Sequence, residues 1–141
     1  MRALSRLSAA LAIASLLAAC GDESFSPTVD NVPGTYTASS FTLTSAGVTV
    51  DLLDQGASVE VTLAPSGTTT GRVFVPDGLE GGEDLDEDLT GTWALNGSTV
   101  TFDHTADTFL RDLQFQATRN RLTSEATFFD ETIRIVLTKP D

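Results

Sequence analysis

Beyond residue 33 the chain alternates apolar and polar residues in short runs, and turn-forming residues interrupt those runs at hairpin spacing. This period of two predicts strands over 34–44, 48–53, 58–64, 68–75, 90–95, 98–104, 113–118, 121–128 and 132–138. Ser45-Ala46-Gly47, Asp54-Gln55-Gly56, Pro65-Ser66-Gly67, Arg119-Asn120 and Phe129-Asp130-Glu131 suit tight reversals between them. Asn96-Gly97 is the residue pair that a two-residue type I′ turn favours, and this reading outweighs the glycosylation sequon Asn96-Gly97-Ser98.

The same period selects one face of each strand. Val59, Val61 and Leu63; Val73 and Val75; Trp93 and Leu95; Val100 and Phe102; Leu113, Phe115 and Ala117; Leu122, Ala126 and Phe128; and Ile133, Ile135 and Leu137 form apolar rows. Glu60, Thr62, Thr99, Thr101, Gln114, Gln116, Thr127 and Arg134 take the opposite phase and predict a solvated surface. Tyr36 and Ala38 are out of phase with Phe41 and Leu43, which predicts a bulge near Ser39-Ser40.

Strands with one apolar face must cover that face and remove their edges, and the chain offers almost no helix to do so. The expected fold is therefore all-β, an antiparallel up-and-down barrel of eight to nine strands, with a β-sandwich as the runner-up. The single helix-compatible segment, 106–112, is short enough to be a turn or a plug at one barrel end.

The first residues follow a different pattern. Arg2 and Arg6 precede an apolar run from Leu7 to Ala19, which ends in Leu17-Ala18-Ala19-Cys20. This head resembles a bacterial lipoprotein signal with its lipobox. The resemblance implies that residues 1–19 are removed and that Cys20 becomes the first mature residue, with a diacylglycerol on its sulfur and usually an acyl chain on its amine. It also implies a location in the cell envelope, with the membrane as a partner through the lipid anchor. In a host with two membranes, Gly21 beside the cysteine favours the outer one, because an Asp there marks retention in the inner membrane. Each buried methylene adds about 0.8 kcal/mol, so two or three acyl chains anchor a domain that has no spanning segment. Residues 20–32 are polar and Pro-containing and read as a tether, followed by one folded domain over 33–141.

Loss of Arg2 and Arg6 leaves 6 basic side chains against 20 acidic ones, a net charge of −14. Such a field repels nucleic acid and disfavours lying flat on anionic lipid. With Cys20 acylated, no thiol is left for a disulfide or a thiolate metal site, so the fold rests on packing.

The acidic segment 77–88 reads as a self-repelling loop between the two halves. Asp84, Asp86 and Asp88 open like a calcium loop, which needs oxygens from alternate positions. Neither the sharp-turn glycine nor the closing glutamate follows, so these three are weak candidates and the expectation is no bound metal or other cofactor. His104, the sole histidine, stands near Asp103 and Asp107 and reads either as an acid/base or metal group or as a strand-end residue facing water. No nucleophile elbow, phosphate-binding loop, dinucleotide fingerprint or zincin pair occurs, and the protein is expected not to be an enzyme. An eight-stranded barrel is just wide enough to fill with its own side chains or to hold one small ligand. Trp93, Phe102, Phe115, Ala126 and Phe128 are the candidate lining of such a ligand site.

Gly34-Thr35-Tyr36-Thr37, the run Gly91-Thr92-Trp93-Ala94-Leu95-Asn96-Gly97-Ser98-Thr99-Val100-Thr101-Phe102, and the closing Leu122 and Ile133-Arg134-Ile135-Val136-Leu137 together resemble small bacterial lipocalin-like lipoproteins. In lipocalins proper a first-strand Gly-X-Trp is met by an Arg from the last strand. This chain has Tyr36 in place of that Trp, and Arg134 falls on the polar phase. The resemblance implies a non-enzymatic, membrane-anchored barrel that binds a small hydrophobic molecule or a lipid. The alternative is a structural or interaction module with a filled barrel that meets another envelope protein through its acidic surface.

Overall fold

A computed structural model describes residues 24–79 and 81–140; the expected signal over 1–19, Cys20 and the first positions of the expected tether, 21–23, lie outside them. Ten strands form one antiparallel sheet: β1 (Gly34–Ser45), β2 (Val48–Asp51), β3 (Ser58–Leu63), β4 (Thr68–Val75), β5 (Leu85–Asp88), β6 (Gly91–Asn96), β7 (Thr99–His104), β8 (Gln114–Ala117), β9 (Arg121–Phe128) and β10 (Glu131–Thr138). Neighbours run β10-β9-β8-β7-β6-β4-β3-β1, and β1 pairs back onto β10, so eight strands close into a barrel with β2 and β5 as additions. Closure removes the edges that one-sided strands would otherwise expose.

β1 is long enough to serve three partners. Its first residues, Gly34–Thr37, pair with β3, its stretch from Thr37 to Ser45 with β10, and its last four residues also with β2. The pairing with β10 slips between Ala38 and Ser40, which places the expected bulge at Ser39. The extra residue turns both Tyr36 and Phe41 inward although they are five apart, and each is at most 1 % exposed.

Two local expectations are corrected. The turn between β6 and β7 is Gly97-Ser98, one residue later than the expected Asn96-Gly97, because Asn96 pairs with Thr99. Only Gly97 has positive φ, 62°, which suits a type II′ reversal, whereas type I′ needs positive φ at both central residues. In this register Trp93 faces Phe102 and Leu95 faces Val100, so the apolar row stays inside.

The acidic segment is also not a loop throughout, since its last four residues are strand β5, paired with Arg72–Val75 of β4. Leu85 and Leu89 bury their side chains while the charges between them face water. Arg72 on β4 forms a bidentate ion pair with Asp86, which offsets local repulsion and holds that carboxyl below its ordinary range. The Leu89 N–H then donates to the Gly71 carbonyl at 2.9 Å, and Thr69 Oγ1 donates to the Leu89 carbonyl at 2.8 Å. β5 and β6 therefore cover β4 almost continuously.

Gly71 lets β4 approach β3 closely, and Gly91 does the same for β6 and β7. A Cβ on Gly71 would stand 2.1 Å from the Glu60 carbonyl oxygen, and one on Gly91 would stand 2.2 Å from that of Asp103.

The interior is packed. Tyr36, Phe41, Val61, Leu63, Val100, Phe115, Leu122, Ile135 and Leu137 are all essentially inaccessible, and Phe102 meets Phe115 edge-on at 5.3 Å. Segment 106–112 contains one 3-10 turn, Phe109–Asp112, which inserts Leu110 into the core and stacks Phe109 on Phe41 with ring centroids 5.6 Å apart. The barrel thus has a base, carrying the start of β1, the end of β10 and the β3–β4, β6–β7 and β8–β9 turns, and a mouth, carrying the β1–β2 and β9–β10 turns, segment 76–84 and the 3-10 turn.

Candidate functional site

The base is sealed by residues just before β1. Val32 is buried, and its carbonyl accepts from the Tyr36 hydroxyl at 2.6 Å. Burial pushes the Tyr36 phenol up to about 12. Lys139, immediately beyond β10, donates from Nζ to the carbonyls of Asn31, Val32 and Pro33 at 2.7, 3.3 and 3.1 Å. The same ammonium lies 5.4 Å from the centre of the Tyr36 ring, a cation–π distance, and burial lowers its pKa. The cation that meets the first-strand aromatic is therefore Lys139. Arg134 points outward, 3.8 Å from Glu125.

The mouth is open. A cavity of about 480 Å³ lies between the β1–β2 hairpin, the start of β10, segment 75–78 and the 3-10 turn. Its buried or half-buried wall is Phe41, Leu43, Val50, Leu52, Val75, Leu85, Phe109 and Ile133. Gln55, Asp77 and Glu131 stand exposed around it, and among the described residues no lysine, arginine or histidine lines it. A concavity of this size with an apolar wall and a few polar rim groups has the proportions of a small-molecule site.

None of the residues expected to line a ligand site faces this cavity. Trp93, Phe102 and Phe115 are buried within the barrel, and Trp93 Nε1 is engaged by the Ala64 carbonyl at 2.8 Å. Ala126 and Phe128 are half-buried and pack against the core from β9. The inward rows were legible in the sequence, but which end of each row stays uncovered depends on strand stagger. Leu43, Val50 and Leu52 signal it only through the β1–β2 hairpin rising beyond the start of β3.

His104 corrects the expectation of a residue facing water. It is 2 % exposed, stacks on Phe102 with ring centres 5.0 Å apart, and neither ring nitrogen has a hydrogen-bond partner. Burial, reinforced by the Arg111 charge and opposed by Asp103, lowers its pKa, so the folded protein holds it neutral. Asp107 is engaged with Arg111, four residues on. The acidic trio is likewise dispersed: Asp84 accepts from the Asp77 N–H at 3.0 Å, Asp86 is held by Arg72, and Asp88 lies at the far end of β5. Among the described residues no group of three or more His, Cys, Asp or Glu side chains is placed to hold a metal ion.

Two other concavities carry charged side chains in their walls. One of about 620 Å³ runs along β5 outside the barrel wall, and one of about 530 Å³ lies at the base between Arg119, Lys139 and the start of β1. Among the described residues no helix is long and apolar enough to cross a membrane. Comparisons with protein-family models, with curated proteins and with solved structures find no match to this chain.

Proposed function

We propose that this chain is a lipid-anchored protein of the cell envelope, non-enzymatic and lipocalin-like, whose barrel mouth takes up a small apolar molecule or one acyl chain of a lipid. The observation that carries the reading is the cavity over the Phe41–Phe109 stack, whose wall is built mainly from apolar side chains with no lysine or arginine among the described residues that line it. Anchoring is supported by the head of the sequence, with Cys20 as the acylated residue and the outer membrane favoured in a host with two membranes. The first described residues lead into β1 at the base, so a tether on Cys20 would leave the mouth free.

The test is saturable uptake of an environment-sensitive apolar dye, displaced by decanol and lost in Ile133→Trp, which fills the cavity from β10. Dye binding that is absent from the wild-type protein, or indifferent to Ile133→Trp in a folded variant, overturns the reading. Cys20→Ser should release the protein into the soluble envelope fraction, and a variant that still sediments wholly with membranes argues against the anchor.

A second reading, an interaction module with a filled core, is favoured by one observation. Phe129, at the tip of the β9–β10 hairpin, is 99 % exposed and holds φ at 51°, a conformation costly for an aromatic residue. Loss of a co-purifying envelope protein in Phe129→Ser, together with no dye uptake, would support that reading.

A further inference from the structure

Resting on the proposal that the mouth binds an apolar molecule, we infer that its ligand is an amphiphile with a cationic or neutral head, not a fatty acid. The cavity is amphipathic in a fixed sense. Its deep wall is hydrocarbon, from Phe41 and Phe109 up through Leu43, Val75 and Ile133, and its exposed rim carries the carboxylates Asp77 and Glu131 with the neutral amide Gln55.

Among the described residues no cation lines the cavity to receive an anionic head. The three arginines on the lining or neighbouring elements are already engaged and outside the cavity lining, Arg72 by Asp86, Arg111 by Asp107 and Arg134, on β10, by Glu125 at 3.8 Å. Arg119 and Lys139 lie at the opposite end of the barrel, and Lys139 Nζ is occupied by three carbonyls. The approaches to the mouth add more negative charge: Asp51 and Asp54 flank Leu52 and Leu53, Asp84 holds the Asp77 backbone, and Asp130 precedes Glu131.

A ligand whose tail lies on the Phe41–Phe109 stack brings its head to the level of Asp77 and Glu131. A carboxylate there meets two like charges with no compensating donor, whereas an ammonium meets two opposite charges. The carboxylates are exposed and screened, so each interaction is modest, but two acting with opposite sign on two head groups separate them by about tenfold or more in affinity at low salt. The same field attracts cationic ligands and repels anionic ones on approach.

The experiment compares chain-matched probes below their micelle-forming concentrations, decyltrimethylammonium, decanol and decanoate, by displacement of the apolar dye from the full mature domain. The expected order is ammonium tightest and decanoate weakest, with a gap of about tenfold at low ionic strength that narrows as salt is raised. Asp77→Asn with Glu131→Gln should close most of the gap and leave decanol binding unchanged. Because both side chains are solvent-exposed, the variant should melt with the wild type, and salt titration of the unmodified protein tests the same point without a substitution. Decanoate binding as tightly as the ammonium, or a gap insensitive to both salt and the two substitutions, overturns the inference while leaving the mouth as a site. If no probe displaces the dye, or no dye binds, the mouth reading itself falls and the inference falls with it.

Discussion

At the base the barrel interior is closed by named contacts: Val32 fills the floor, Tyr36 is tied to it, Lys139 caps three carbonyls and Trp93 is pinned to Ala64. At the mouth the same strands run on without such closure, so Leu43, Ile133 and Phe109 are only half-buried and the rim is acidic. The difference lies in what crosses the end. A segment preceding β1 crosses the base, whereas the 3-10 turn covers only part of the mouth. Stability is thus concentrated where the interior is closed, and a cavity reaching the core aromatics is left where it is not.

The comparison breaks most completely if the barrel cannot close at all. Gly71→Ala and Gly91→Ala each drive a Cβ into backbone of the adjacent strand, and each should cost at least about 3 kcal/mol or abolish soluble expression. Near-normal denaturant midpoints would show that the strands are less closely opposed than described.

A direct contrast of the two ends comes next. Trp93→Ala at the base should cost about 3–5 kcal/mol, because it removes a large buried ring and its hydrogen bond to the Ala64 carbonyl. Phe109→Ala at the mouth should cost about 1–2 kcal/mol, since its ring is only half-buried. Equal losses on chemical unfolding would abolish the distinction between the ends.

A finer test uses the base staple. Tyr36→Phe removes the hydroxyl donated to Val32 and should cost about 1 kcal/mol. The wild type should also lose stability as pH rises from the ordinary phenol value of 10 toward about 12, because the unfolded chain ionises Tyr36 before the folded one does. That loss should be smaller in the variant, as read by melting in alkaline buffers.

Acid probes the other side of the interior. Folding keeps His104 neutral by burial, so below its ordinary pKa of 6.5 the unfolded chain takes up a proton that the folded chain refuses. Stability from this group is present above pH 6.5 and declines as pH falls toward the lowered folded pKa. Melting followed from neutral to mildly acid pH should show this slope, and His104→Phe should flatten it.

The smallest effect is expected at the most exposed residue. Phe129→Gly relieves the positive φ without removing a buried contact and should raise stability by about 0.5–1 kcal/mol. A loss of stability there would reveal packing that its exposure denies.

The alternation of apolar residues determined, without tertiary information, that the protein is all-β, where nearly every strand lies, that β1 bulges near Ser39, and that the apolar rows turn inward. These features are local or follow from burying one face of a two-residue period. What tertiary structure decided is everything that depends on stagger and partner choice. β5 was hidden because its charges argue for a loop until Arg72 is placed beside Asp86 and Leu85 and Leu89 are placed against β4. The open cavity is lined by Leu43, Val50, Phe109 and Ile133 and not by the inward aromatics of β6–β9, because a period of two assigns a side chain to a face but not to a depth along the barrel axis. His104 was likewise assigned to water because a lone histidine beside aspartates reads as polar, and only the cover provided by the 3-10 turn and the Phe102 ring makes it part of the interior.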